Sequence, residues 1–211
     1  TLKNAFQADR IAQAFIMTGI RGTGKTTTAR IIAKGMNCIG LDGHGAPTTE
    51  PCGQCEHCLA ISEGRHVDVL EMDAASNTGV DDIRSTVIDS VAYAPSAARY
   101  KVYIIDEAHM VSPQGFNALL KLVEEPPPHL RFIFATTEPD KVIGTIRSRT
   151  HHYPFRLIPP RLLSSYLSEL CEKEGVAIEP AAIPLVVRAG GGSARDTLSV
   201  LDQLLGGAGP E

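Results

Sequence analysis

The chain has 211 residues, with 20 Lys and Arg against 24 Asp and Glu for a formal net charge of -4, and 43% of its residues are apolar. This supports a buried core and argues against compositional disorder, while the acidic balance and 5% aromatic content argue against a general electrostatic nucleic-acid binder or a single-strand stacking platform. No apolar run approaches the ~18 residues of a membrane span, and no signal-like segment opens the chain, so no membrane association and a cytoplasmic location are expected. The length suits one large domain, or a medium domain plus a small one. Because the first residue is Thr1, the sequence reads as a fragment or as a chain without its start.

Predicted strands and helices alternate. Phe15 to Thr18 is a short apolar run ending at Gly19 and predicts a buried strand. Ala29, Ile32, Ala33 and Met36 fall at helical spacing between Lys25 and Met36. From Cys38 to Gly64 the pattern gives way to a Gly-, Pro- and Cys-rich stretch that reads as an insertion. Val67 to Met72 predicts a strand, and Val80, Ile83, Val87, Ile88 and Val91 share one helical face. Lys101 to Ile105 is β-branched and aromatic throughout, as expected of a strand buried on both faces. Ser112-Pro113 reads as an N-cap followed by proline at the first helical position. Phe116, Leu119, Leu120 and Val123 carry that helix, and Pro126-Pro127-Pro128 stops it. Phe132 to Ala135 is another buried strand. Such alternation predicts an α/β fold, a parallel sheet with helices on both faces. Beyond Pro159-Pro160 the chain reads as helical, with Leu163, Tyr166, Leu167 and Leu170 in one segment and Ile183 to Ala189 in the next. Ser193 and Asp196 form a capping-box pattern opening a last helix that carries Leu198, Leu201, Leu204 and Leu205. A domain boundary is expected near residue 157, giving domains over 1–157 and 158–211, with the insertion over about 37–64.

Between the first strand and first helix, Gly19-Ile20-Arg21-Gly22-Thr23-Gly24-Lys25-Thr26 matches G-x-x-x-x-G-K-[ST]. Glycines let such a backbone wrap closely around phosphates, with successive N–H groups and a helix N-terminus facing the anion. Lys25 would reach the β- and γ-phosphates and Thr26 would ligate Mg²⁺. Asp106-Glu107 follows the Lys101–Ile105 strand. An acidic residue there holds Mg²⁺ in phosphate-loop enzymes, and Glu107 is then placed to take a proton from an attacking water. Positive charge for the transition state would come from Arg147, Arg149 or Arg195, among which composition does not choose.

Cys38, Cys52, Cys55 and Cys58 form C-x13-C-x2-C-x2-C. Two-residue spacers let neighbouring thiolates turn back onto one metal, and four thiolates suit a tetrahedral structural Zn²⁺. An iron–sulfur cluster is the rival reading, although the x3-C-P continuation of ferredoxins is absent. His44 and His57 are spare possible ligands, with a place at the surface the preferred reading, and Cys171 is read as packed in an apolar helix.

Taken in order, the phosphate loop, the cysteine cluster after its helix, Asp106-Glu107-Ala108-His109-Met110, Phe116-Asn117-Ala118-Leu119-Leu120-Lys121, Glu124-Glu125-Pro126-Pro127, Ala135-Thr136-Thr137, Ser148-Arg149 and Gly192-Ser193-Ala194-Arg195-Asp196 resemble the bacterial DNA polymerase III clamp-loader gamma/tau family of AAA+ ATPases. The resemblance covers nearly the whole chain. It implies an AAA+ core with a four-cysteine zinc module and a small helical lid, binding ATP, Mg²⁺ and Zn²⁺. ATP would be held by Gly19, Gly22, Thr23, Gly24, Lys25, Thr26 and Thr27. Thr137 would be the polar residue positioning the attacking water, with Thr136 the near alternative. Arg149 would be an arginine finger reaching a neighbouring subunit's ATP, although Thr150 stands where the family usually has cysteine. Arg195 would approach the γ-phosphate from the lid. Cys38, Cys52, Cys55 and Cys58 match the family's zinc ligands. Arg84 is a candidate contact to DNA backbone, with a solvated helix face as the plain alternative. Implied partners are the other clamp-loader subunits, a sliding clamp and primer–template DNA. The segment that helps hold adenine is expected to be missing or short, and an assembly (collar) domain is expected to follow residue 211. Two other functions compete. A DEAH-type helicase needs a second large domain for which the ~55 residues after the boundary are too few. A nucleotide-holding scaffold would have little use for the complete set Lys25, Asp106, Glu107 and Arg149.

Overall fold

The computed structural model describes residues 2–7, 10–76, 87–91 and 93–207. The chain divides into two compact units, one of Thr1–Thr18 with Lys25–Pro154 and the other of Gly19–Gly24 with Phe155–Glu211.

The first unit begins with the short helix α1 (Leu2–Gln7) and is built on five strands: β1 (Ala14–Thr18), β2 (Val69–Asp73), β3 (Lys101–Asp106), β4 (Leu130–Thr136) and β5 (His151–Pro154). The strands are parallel and lie in the order β2-β3-β4-β1-β5. The central strands β1, β3 and β4 are buried almost throughout, which is why each reads as an unbroken apolar run. Ala29, Ile32, Ala33 and Met36 are the buried stripe of α2 (Lys25–Asn37), which packs against β3 and β4. Tyr103, Phe132 and Phe134 stack along one face of the sheet with centroids 5.8 and 5.7 Å apart. Phe116, Leu119 and Val123 of α5 (Pro113–Glu124) belong to the same cluster. Ser112 caps α5 as expected, its hydroxyl accepting the Gly115 N–H at 3.1 Å with Pro113 at the first turn.

Neighbouring registers put the ends of β1, β4 and β3 on one edge of the sheet: Thr18 pairs with Thr136, and Ile105 with Phe134. Open parallel sheets present their ligand sites at that carboxyl edge.

Several short elements escaped the sequence reading. α1 has six residues, too few to show a helical period. β5 is an edge strand of four residues, mostly exposed, so its His151-His152-Tyr153-Pro154 has no apolar run to reveal it. α3 (Glu56–Ser62) lies inside the cysteine-rich insertion, where the ligand spacing masks helical periodicity. α6 (Gly144–Arg147) is a single turn. Between α3 and α6 in the chain, α4 (Asp89–Val91) and the residues before it retain the buried Val87 and Val91 of the expected apolar face, whereas Val80 and Ile83 lie outside the described residues. The second strand begins at Val69, leaving Val67 exposed.

The insertion is tied to α2 by backbone contacts as well as cysteines. Arg99 donates to Met36 O at 2.6 Å, to Cys38 O at 3.1 Å and to Gly45 O. Asn37 donates to Tyr100 O and accepts Tyr100 N–H at 3.0 and 2.8 Å. At Gly35 a Cβ would come within 2.4 Å of Thr48 O, so only glycine admits this close approach.

The second unit holds α7 (Pro160–Lys173), α8 (Ala182–Gly190) and α9 (Ala194–Gly207). Leu163, Leu167 and Cys171 of α7 pack with Val186, Val187 and Leu201, so Cys171 is a core residue. Ser193 caps α9 by accepting the Asp196 N–H at 3.2 Å.

Asp68, buried just before β2, organises the approach to β3. Its carboxylate accepts the N–H groups of Ser96, Ala97 and Ala98, each at 2.8 Å. Burial alone would raise its pKa, but the three donors prevail and hold it below the usual carboxylate value. Removing these charge-assisted bonds in Asp68→Ala should cost about 3 kcal/mol at neutral pH. Since the folded pKa is depressed, this contribution is complete above the unfolded value of ~3.9 and is lost as pH falls through the lower folded value. Urea denaturation at pH 7 and in acid checks it: the gap between Asp68→Ala and the parent chain should close in acid.

Candidate functional site

The phosphate-loop motif occupies the segment between β1 and α2. Gly19, Gly22 and Gly24 have φ of 141°, 77° and 93°, conformations that side chains disfavour. Gly22 is doubly constrained, because a Cβ there would lie 2.1 Å from Ser193 Oγ. Its carbonyl accepts the Ala194 N–H at 3.0 Å, docking the start of α9 on the loop. Arg195 stands beside the same glycine. Thr23 Oγ1 donates to Ile20 O at 2.9 Å. A loop of this shape turns backbone N–H groups inward, as an anion site requires.

In the first unit Lys25 opens α2 and is buried. Thr26 Oγ1 donates to Asp106 Oδ2 at 2.6 Å, joining the first turn of α2 to the end of β3. Asp106 Oδ1 accepts the Glu107 N–H at 2.9 Å. Thr27 is exposed. Arg30 is paired with Glu71 at 2.6 and 2.7 Å; those hydrogen bonds, with the charges of Glu71 and Asp106, raise its pKa.

Glu107 is the one described non-glycine residue with positive φ, at φ 48° and ψ 43°. Left-handed backbone at a bulky residue costs of order 1 kcal/mol or more and concentrates at functional sites. Here it turns the carboxylate toward the end of β4, where Oε2 accepts from Thr137 Oγ1 at 3.4 Å. Thr136 is wholly buried and instead bonds His109 Nδ1 at 2.9 Å. Thus Thr26, Asp106, Glu107 and Thr137 converge in one unit, while Gly22 and Arg195 meet in the other. Sequence reasoning quoted His109 only as part of a motif, and nothing in its spacing marked it.

Arg149 lies elsewhere. Its guanidinium pairs with Glu124 Oε1 at 3.0 Å and donates to Thr145 O at 3.1 Å. It lines a cleft of about 520 Å³ with Arg10, Gln13, Pro126 and His151. Arg10, Gln13 and Pro126 precede the strands β1 and β4, so this cleft opens at the edge where strands begin, away from Asp106 at the edge where they end. Arg147 pairs with Asp140 at 3.2 Å. Arg84 lies outside the described residues.

The four cysteines form a compact cluster, their sulfur atoms all within 4.8 Å of one another. Cys38 Sγ accepts N–H groups of Gly40 and Cys52 at 3.4 Å each, and Cys52 Sγ those of Gln54 and Cys55 at 3.5 and 3.2 Å. These backbone donors pull the Cys52 thiol down to about 6, whereas burial pushes Cys58 up to about 12. Four convergent thiols with N–H donors to sulfur are a donor set that can hold a metal ion. His57, expected at the surface, is instead 5% exposed. Its Nδ1 lies 2.8 Å from His66 Nε2, and His66 Nδ1 accepts the Asp68 N–H at 3.0 Å. His66 Nε2 therefore carries the ring proton and donates it to His57. Burial, then the neighbouring His57, lowers the His66 pKa, consistent with a neutral His66 ring. His57 is helical position two of α3, so spacing alone could not show which face turned inward. His44 is exposed as expected.

Two family models match: one described as DNA polymerase III, delta subunit, over residues 1–159, and one described as DNA polymerase III clamp loader subunit, ATPase lid domain, over residues 163–208. The chain is 58% identical over 209 residues to the DNA polymerase III subunit gamma/tau of Mycobacterium tuberculosis, covering 98% of this chain and 35% of that protein. It is 45% identical to DNA polymerase III subunit tau of Bacillus subtilis, covering 99% and 36%, and 45% identical to that of Escherichia coli, covering 97% and 31%. The chain thus spans about a third of the length of the curated relatives it matches. Among solved structures, the Holliday junction branch migration motor RuvB of Thermotoga maritima superimposes with a TM-score of 0.62 at 16% identity, over 94% of this chain and 56% of that one, a likeness of fold. With its parallel sheet, phosphate-loop motif, cysteine cluster and lid, the chain belongs to the DNA polymerase III clamp-loader gamma/tau family and carries its AAA+ core.

Proposed function

We propose that this chain is the ATP-binding and ATP-hydrolysing part of a clamp-loader subunit, working with other loader subunits to open a sliding clamp and place it on primed DNA in the cytoplasm. The observation that carries the reading is the convergence of Thr26, Asp106, Glu107 and Thr137 at the carboxyl edge of the sheet, beside the start of α2. Gly19, Gly22, Thr23, Gly24 and Thr27 would surround the phosphates of ATP, and Lys25 would meet the β- and γ-phosphates. Thr26 and Asp106 would hold Mg²⁺, which when bound neutralises charge building on the phosphate oxygens. Glu107 would accept a proton from the attacking water while Thr137 orients it; the water oxygen bonds to the γ-phosphorus as the bond to ADP breaks. Arg195 would bring positive charge from the lid. Arg149 would act on a neighbouring subunit's ATP, which suits its place at the opposite edge of the sheet from Asp106. ATP binding would favour the assembly's clamp-opening state, and hydrolysis would reset it.

The cysteine cluster would hold one Zn²⁺ through Cys38, Cys52, Cys55 and Cys58. Four protein thiolates leave no open position, so its part would be to fix the insertion on α2 and α3.

ATP hydrolysis by the full-length subunit in its complete complex tests the enzyme. Glu107→Gln should leave ATP binding within about threefold and lower kcat by at least ~100-fold, whereas an unchanged rate of clamp release would favour a nucleotide-holding scaffold. Arg149→Ala should lower clamp- and DNA-stimulated turnover by ~1,000-fold without weakening ATP binding to its own chain. Equal stimulation in parent and variant would remove Arg149 from the chemistry.

Elemental analysis of the purified chain should find one zinc per molecule. Cys58→Ser should lose it and melt roughly 6–12 °C lower, the equivalent of about 3 kcal/mol. Stoichiometric iron with visible absorbance would replace zinc by an iron–sulfur cluster.

A further inference from the structure

We propose that Ser193 is a positioning residue for Arg195: by capping α9 it seats the first turn of that helix on the phosphate loop, and this seat lets Arg195 distinguish ATP from ADP. This rests on the reading of Arg195 as a cation for the γ-phosphate. A helix start leaves N–H groups without partners inside the helix, and those at the start of α9 are met from outside it. Ser193 N–H donates to Gly190 O at 3.0 Å, and the Ala194 and Arg195 N–H groups converge on Gly22 O at 3.0 and 3.4 Å. Asp196 N–H goes to Ser193 Oγ at 3.2 Å. Ser193 is only 2% exposed, and its own carbonyl accepts Thr197 N–H at 3.0 Å and Thr197 Oγ1 at 2.6 Å.

The positive end of α9 is thus turned onto a carbonyl of the loop, and the charge that this first turn can offer a phosphate is the Arg195 guanidinium. Arg195 is the second residue of α9, so the seat on Gly22 O fixes the point from which its side chain starts. Gly22 is shaped to the seat: a Cβ there would collide with Ser193 Oγ and lie 3.0 Å from Arg195 Cβ. Ser193→Ala removes the acceptor of the Asp196 N–H and loosens the turn that carries Arg195. A guanidinium displaced by about an ångström loses its hold on the last phosphate. ADP has no such phosphate and is indifferent to the change.

Single-turnover ATP hydrolysis by the full-length subunit in its complete complex tests this, together with equilibrium binding of a non-hydrolysable ATP analogue and of ADP. The variants are Ser193→Ala, Ser193→Thr, Arg195→Ala and the double variant Ser193→Ala with Arg195→Ala. Ser193→Ala should bind the ATP analogue about fivefold more weakly and hydrolyse ATP about tenfold more slowly, with ADP affinity within about twofold. Ser193→Thr, which keeps the hydroxyl, should recover most of both losses. The double variant should be no worse than Arg195→Ala alone, because a residue acting through Arg195 has nothing left to position. Unchanged analogue binding and rate in Ser193→Ala would overturn the inference. So would an equal weakening of ADP and the analogue, or a further loss in the Arg195→Ala background. Parental rate and parental preference for the analogue over ADP in Arg195→Ala would overturn the reading of Arg195 itself, and this inference with it. Should Ser193→Ala not fold, Ser193→Cys carries the same comparisons, since its sulfur is a weak acceptor of nearly the same shape.

Discussion

β4 is inserted in the sheet between β1 and β3, and the candidate site rests on that placement. It separates the strand that leads into the phosphate-loop motif from the strand that carries Asp106, leaving a gap at the carboxyl edge into which the first turn of α2 fits. The 2.6 Å hydrogen bond from Thr26 to Asp106 spans this gap. The end of β4 then supplies Thr136 and Thr137 beside Glu107. Burial of β1, β3 and β4 on both faces makes the arrangement stiff, since shifting one strand would break ladders on two sides and displace packed aromatic rings.

That stiffness explains how a strained residue persists. Glu107 keeps a left-handed backbone where its N–H is held by Asp106 and its side chain meets Thr137. A flexible loop would relax such a conformation. The opposite edge of the sheet is organised differently. There Arg149 sits in an open cleft, held by a half-exposed pair with Glu124. Exposed pairs of this kind contribute little, about 0–1 kcal/mol, so the guanidinium can exchange partners at small cost. The carboxyl edge thus carries half-buried, hydrogen-bonded groups and the opposite edge an accessible cation.

The insertion is held in a comparable way, by several contacts at once. Its cysteines hold one another, but its attachment depends on backbone carbonyls of α2 and the following segment meeting Arg99 and on Asn37 meeting Tyr100. A metal ion would thus stiffen a module already docked on the core.

The strands and helices of the core were legible in the sequence because burial on both faces leaves a continuous apolar run, and because Ser112-Pro113 and Ser193 cap by local geometry alone. Lys25, Thr26, Asp106 and the four cysteines stand out in the sequence as candidates because phosphate and metal chemistry call for particular residue types, and the fold brings Thr26 to Asp106 and the four sulfur atoms within 4.8 Å of one another. The sequence was silent where the determining contact is long-range. β5 is a strand only because β1 offers it an edge, and polar His151 and His152 give no pattern to read. His57 is buried because His66 comes from across the α3 turn to bond it. That Thr137 meets Glu107 while Thr136 bonds His109 follows only from the way the ends of β3 and β4 come together. Local sequence carries periodicity and caps; which side chains from distant segments meet is settled only when the sheet order brings their strand ends together.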